Sequence, residues 1–158
     1  MEPRLNLVKT SPKAYQAMLA LEQVVDSCGL ERSLLELVKM RASQINGCAY
    51  CLDMHSKDAR ALGETEQRLY LLSAWRESPQ YSERERAALE WTEAVTLIAQ
   101  SHVSDETYQR VKPHFSPEEL VNLTLAIGTI NAWNRLVISF RVTPGSYKSR
   151  FAELEAKA

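Results

Sequence analysis

Two thiols, an imidazole and a carboxylate stand at fixed intervals in one short stretch of this chain. Cys48 and Cys51 are three apart, His55 follows Cys51 by four, and Glu36 precedes Cys48 by twelve. A Cys-X-X-Cys pair lowers a thiol pKa from about 8.5 toward neutrality, so at least one sulfur should be nucleophilic at pH 7. An imidazole one helical turn away titrates in the range needed to accept or return a proton. Together they read as a nucleophile, a base and a second thiol able to close a disulfide.

The local elements must bring these groups to one face. Asn46-Gly47 is a turn signal that ends one helix just before Cys48 begins another. Successive helix residues advance about 100°, so Cys48, Cys51, Leu52, His55, Ala59 and Leu62 form one stripe, while Asp53, Lys57 and Arg60 point elsewhere. Unpaired N–H groups and the positive end of the helix dipole favour a thiolate at the helix start. Glu36 lies on the preceding helix, and a short Gly turn would set the two helices side by side and antiparallel. There a carboxylate could orient the imidazole. Spacing leaves that contact open, because Glu36 also sits one turn from Lys39 and the two could form a solvated pair. The same donors could ligate a metal, but the usual structural zinc site has a second ligand pair elsewhere in the chain. Neither a metal nor a cofactor is expected.

Glu-X11-Cys-X2-Cys-X3-His, formed by Glu36, Cys48, Cys51 and His55, resembles the motif of the alkylhydroperoxidase D-like proteins in the carboxymuconolactone decarboxylase superfamily. Four chemically distinct residues at fixed spacings are a specific signal, where a lone Cys-X-X-Cys is weak. The likeness runs over roughly residues 12 to 100, and Ile130-Asn131-Ala-Trp133-Asn134-Arg135 is also similar to members of the group. It implies an all-α, single-domain helical bundle over residues 1–158, with about six to eight helices. A homo-oligomer, trimer or hexamer, is implied as well. By the same resemblance Cys51 is the peroxide-attacking thiol, Cys48 the resolving thiol, and Glu36 and His55 the proton relay of an alkylhydroperoxidase. Its substrate would be a hydroperoxide, and a thiol or dithiol would restore the enzyme. The alternative is a redox-sensing or disulfide-exchange oligomer without efficient turnover. The decarboxylase branch fits less well, since lactone chemistry does not require the thiol pair. One position departs: the best-known members carry a second His directly before the latter Cys, and this chain has Tyr50.

Composition bounds the partners. A net charge of −1 with both signs interspersed offers no basic field to nucleic acid and no polybasic strip to an anionic membrane. The N-terminus lacks the apolar segment of a secretion signal, and no apolar run approaches the ~18 residues that span a bilayer. A cytoplasmic protein is expected. Of the 3 cysteines, Cys28 is left over, which argues against a secreted disulfide framework. It falls on a core stripe with Met18, Leu21 and Val25 and reads as a small buried hydrophobe.

Helix boundaries follow from caps and breakers. Ser11-Pro12 opens a helix that Gly29 stops, and a second helix, from about Glu31 to Gln44, carries apolar residues around most of its circumference and should sit centrally. A third runs from about Cys48 to Leu62, and a fourth from Glu64 until Ser78-Pro79. Ser82-Glu-Arg-Glu85 and Ser116-Pro-Glu-Glu119 are capping boxes opening helices through about Ala99 and Phe140, with a shorter helix from Ser104 between them. The last is apolar but interrupted by Asn122, Asn131 and Asn134, amides that need partners if buried and that either line the site or bond neighbouring helices. Gly128 in it would allow close approach of another backbone. The charged tail after Pro144-Gly145 suggests a surface helix. His102 and His114 have no acid or thiol at suitable spacing and should face solvent. Trp91 and Trp133 read as core, leaving Tyr50 as the aromatic nearest the chemistry.

Overall fold

The computed structural model describes residues 2–152. Among them the chain is all-α, with helices α1 Leu7–Thr10, α2 Pro12–Asp26, α3 Arg32–Asn46, α4 Ala49–Ala61, α5 Glu66–Leu71, α6 Glu83–Thr96, α7 Ile98–Ser101, α8 Asp105–Val111 and α9 Pro117–Phe140. Short 3-10 turns extend α5 over Leu72–Glu77 and α8 over Lys112–His114. The count exceeds six to eight because two of the helices, α1 and α7, are single turns of 4 residues. No glycine or proline marks the break between α6 and α7 at Leu97, so the pattern alone ran the helix on to Ala99.

The central placement of α3 is borne out. It packs against α4, α6 and α9. Leu34, Leu35, Leu37, Val38, Met40 and Ala42 are all buried, because a helix apolar around its circumference needs neighbours on every side. Leu35 and Val38 join α2, α6 and α9 through Val25, Ala88, Leu123 and Ile127. Leu37 and Met40 face a separate cluster with Leu72, Trp75 and Leu89. A third cluster unites Ala42 of α3, Cys48 and Cys51 at the head of α4, and Ile130 and Val137 of α9. The thiols are therefore core residues, held by three helices.

Both capping boxes form as read. Ser82 and Ser116 accept from the N–H of Glu85 and Glu119, whose carboxylates accept in return from the serine N–H groups. Gly47 ends α3 in the left-handed conformation at φ 69°, a region that costs a side-chain-bearing residue, and its N–H bonds back to Ser43 and Gln44. The turn is short enough to fold α4 back along α3. The next residue, Cys48, is the N-cap of α4 rather than its first helical residue.

Other expectations meet tertiary contacts that a one-dimensional pattern does not contain. Cys28 is half-buried against the core. The amides of α9 are partnered within the chain: Asn122 donates to the Cys28 carbonyl at 3.2 Å and Asn131 to Thr96 Oγ1 at 3.0 Å. Gly128 faces outward, with nothing within 4 Å of where a Cβ would stand, so it serves no close approach within the chain. His102 is exposed as expected, whereas His114 is half-buried. After α9 the described tail is not helical as far as Phe151 but returns across α4 as a strap. The rest of the helix expected there lies outside the described residues. No described helix is long and apolar enough to cross a membrane.

Candidate active site

Cys48 and Cys51 meet because an N-cap residue and the third residue of the helix behind it lie over the same turn. Their sulfurs are 2.6 Å apart, and both are free thiols. Both residues are buried, at 0% and 1% exposure. The Cys48 thiol is drawn down to about 7, chiefly because the Cys51 S–H donates to it. Burial opposes this, and the N–H groups of Cys51 and Tyr50 and the Asn134 amide assist it. The Cys51 thiol is pushed up, first by giving its hydrogen to Cys48, then by burial and by the neighbouring charge. The pair is thus biased toward ionisation at Cys48, with the Cys51 S–H as the thiolate's partner.

The α3–α4 contact that spacing left open is made. His55 Nδ1 lies 2.7 Å from Glu36 Oε2, and the two residues are 3% and 2% exposed. With Nδ1 tied to the carboxylate, Nε2 is the ring nitrogen left for proton transfer. The alternative of a solvated Glu36–Lys39 pair is overturned: Lys39 is 1% exposed and its Nζ bonds Glu22 of α2, 4.0 Å from Glu36 Oε1. The polar side of α3 faces α2 and the strap instead of water. Burial pushes the Glu36 carboxyl up, yet it lies below its ordinary value because His55, Lys39 and Arg150 together outweigh that penalty.

The strap supplies groups that no local pattern announced. The Gly145 N–H donates to Asp53 Oδ2 at 3.0 Å, and Lys57 Nζ donates to the Tyr147 carbonyl at 3.1 Å. Buried Asp58 accepts from Tyr147 Oη at 3.0 Å and Ser149 Oγ at 2.7 Å. Arg150 follows, bonded to Asp26 of α2 through both terminal nitrogens. Glu36, His55 and Asp58 bring one ligand atom each within 4.8 Å of one another, a spacing a cation can use. Lys39 and Arg150 already stand against these carboxylates with their own positive charge.

A cavity of about 450 Å³ opens beside Cys51 and His55, walled by residues 3–8, by α2 and α9, and by the strap. Tyr50 lines it as expected. Trp133 lines it too, edge-on to Tyr15 at 5.7 Å, where helical spacing had suggested core. Trp91 does pack in the core, its indole N–H on Thr124. Cys48 is not among the lining residues. Behind the thiols, Asn46 Nδ2 donates to Asn131 and Asn134 Oδ1 at 2.8 Å each, and Asn134 donates to Ser43 at 3.1 Å. Asn134 thus both bonds helices together and supports the sulfurs, the two roles between which its sequence could not choose.

A helical bundle that seats a Cys-X-X-Cys at a helix start, against a buried Glu–His pair, has the alkylhydroperoxidase D-like architecture. The chain belongs to the carboxymuconolactone decarboxylase family, whose model matches residues 12–94. It is 45% identical over 139 residues to the uncharacterized protein YdfG of Bacillus subtilis, covering 88% of this chain and 95% of that one. It is similar to the crystal structure of an Agrobacterium tumefaciens protein of unknown function, a candidate antioxidant defence protein AhpD. There the TM-score is 0.90 at 49% identity, over 92% of this chain and 100% of that one. An uncharacterized peroxidase-related protein from Silicibacter shares the fold at TM-score 0.77 and 22% identity, over 89% of this chain and 75% of that one.

Proposed function

We propose that the protein is a thiol-dependent antioxidant enzyme that reduces hydroperoxides through a Cys48–Cys51 disulfide cycle, with Glu36 and His55 relaying protons. The observation that carries this reading is the position of Cys51: it lines the cavity beside His55 while its sulfur touches that of Cys48. The family and the candidate antioxidant relative support a peroxidase-related role.

Charge and access point to different sulfurs. Ionisation favours Cys48, but substrate in the cavity meets Cys51, and access decides which sulfur attacks. Cys51 first gives up its proton to His55 Nε2. Its lone pair then attacks the distal oxygen of ROOH. The O–O bond breaks, sulfur is oxidised to the sulfenic acid, and RO⁻ takes a proton from His55 to leave as ROH. The Cys48 thiolate next attacks the Cys51 sulfur. The S–O bond breaks, the leaving hydroxide takes from solvent the proton that Cys48 released on ionising and departs as water, and the disulfide closes. An external dithiol returns two electrons and two protons by exchange and becomes a disulfide itself. Apolar walls of Leu19, Met54, Trp133 and Val142 suit an organic R group.

Mild oxidation should join Cys48 to Cys51 and leave Cys28 free by mass spectrometry, and hydroperoxide should then be consumed in proportion to an added dithiol. Disulfide formation with negligible turnover would instead make the protein a redox sensor. A dominant Cys28 linkage would remove both readings.

We propose further that the protein works as a homo-oligomer, a trimer or hexamer as the family resemblance implies. Exposed Leu19, Val24 and Val121 supply apolar surface that a subunit contact would cover. Light scattering that gives the mass of one chain at micromolar concentration would refute this.

A further inference from the structure

A buried carboxylate orients a histidine only while it stays ionised, and that depends on the charges around it. Glu36 is faced from its own helix by Lys39, with Nζ 4.0 Å from Oε1. From α4 it is faced by His55 and, in the same cluster, by Asp58. From the strap comes Arg150, whose Nη2 lies 3.9 Å from Glu36 Oε1 and whose Nε lies 3.8 Å from Asp58 Oδ2. From α2, Glu22 bonds Lys39, and Asp26 bonds Arg150 while lying 3.8 Å from Lys39. Carboxylates therefore outnumber the fixed cations here, and the two cations are not equivalent. Lys39 spends its closest contact on Glu22, whereas the flat guanidinium of Arg150 touches carboxylates from three helices at once.

We propose that Arg150 is a positioning residue of the relay: the strap carries in the positive charge against which Glu36 holds His55. This rests on the reading that Glu36 and His55 serve Cys51. Arg150 reaches the cavity wall, but its bonds go to carboxylates and not to either sulfur. It acts through Glu36, which accepts the Nδ1 hydrogen and so keeps the Nε2 lone pair available to the thiol.

The sign of the effect follows from charge alone. Removing a cation from a cluster already rich in carboxylates raises the proton affinity of every group in it, Glu36, His55 and Cys51 alike. The pH at which Cys51 becomes reactive must then rise. The experiment is stoichiometric alkylation of Cys51 by iodoacetamide across pH, with Cys28 replaced by Ser and Cys48→Ser as the common background. It needs no peroxide turnover. R150M should move the acid limb of the rate upward by about one pH unit, the scale of a single nearby charge. R150Q, which keeps donors for Asp26 but not the charge, should do the same, and R150K should restore the original limb. Rates that fall equally at all pH in R150M and R150Q, with the limb unmoved, would reduce Arg150 to a structural anchor and overturn the proposal. The underlying reading fails separately: it falls if H55A leaves the alkylation profile of Cys51 unchanged, whatever Arg150 does.

Discussion

Cys51→Ser should abolish both sulfenic acid formation and peroxide reduction, the largest effect of any single substitution in this chain. Cys51 is the sulfur that lines the cavity, and a serine hydroxyl cannot take the place of a thiolate in attack on an O–O bond. Cys48→Ser should behave differently: it should react once and stop with Cys51 held as sulfenic acid or as a mixed disulfide. The loss of Cys48 also removes the first cause that pushes the Cys51 thiol up, so the remaining sulfur should ionise at lower pH than in the intact pair. Dimedone, which traps sulfenic acid, separates this division of labour from its reverse. Labelling of Cys48 in the Cys51→Ser protein, with none on Cys51 in its counterpart, would show that ease of ionisation governs attack and access does not.

Glu36→Gln and His55→Ala should each slow the first step by about 10²-fold, the scale of a typical acid–base residue. They should do so in distinguishable ways. The glutamine keeps an oxygen that can accept the Nδ1 hydrogen but loses the charge that favours an imidazolium, so its loss should be greatest when RO⁻ must be protonated. Alanine removes the proton carrier itself and leaves Glu36 buried without its closest partner. Stability should respond as well. The folded chain holds Glu36 below the ordinary value of 4.5, so the ionised carboxylate stabilises the fold at neutral pH. That contribution is lost as pH falls from the unfolded value through the depressed folded one. Glu36→Gln should therefore show a shallower loss of stability in acid, read from denaturant midpoints across pH. Single-turnover oxidation measured beside them would test the relay, and rates within a few-fold of wild type for both variants would refute it.

The parts of this site that were legible in the sequence are those fixed by one helix. Cys48, Cys51 and His55 share a stripe because helical geometry puts them there, and the capping boxes at Ser82 and Ser116 are equally local. The central position of α3 was legible from its apolar circumference. The Glu36–His55 contact was only allowed by spacing, since it depends on how α4 lies against α3. Lys39 misled for a related reason. Periodicity says which side of a helix is polar but not what covers that side, and here α2 and the strap exclude water from it. Asp58, Tyr147 and Arg150 went unread because their partners lie 89 or more positions apart along the chain, in a segment with no period at all. The cavity role of Trp133 was hidden similarly: a tryptophan at core spacing on α9 looks the same whether its neighbour is a side chain or a void.

The walls of the cavity have a different bearing. Residues 3–8 line one side, and the strap, from Val142 to Arg150, lines another, while Arg4 ties the first of these to the end of α9 through the Ser139 and Phe140 carbonyls. Segments outside the packed helices ordinarily tolerate change best. In this protein they form the vestibule, whereas the thiols and their relay sit on α3 and α4 in the interior. Drift at residues 3–8 and at Val142 and Thr143 of the strap can thus redraw what enters while Arg150, the relay and the thiols stay as they are, so a lineage keeping the same sulfur chemistry could acquire new substrates by editing those stretches alone.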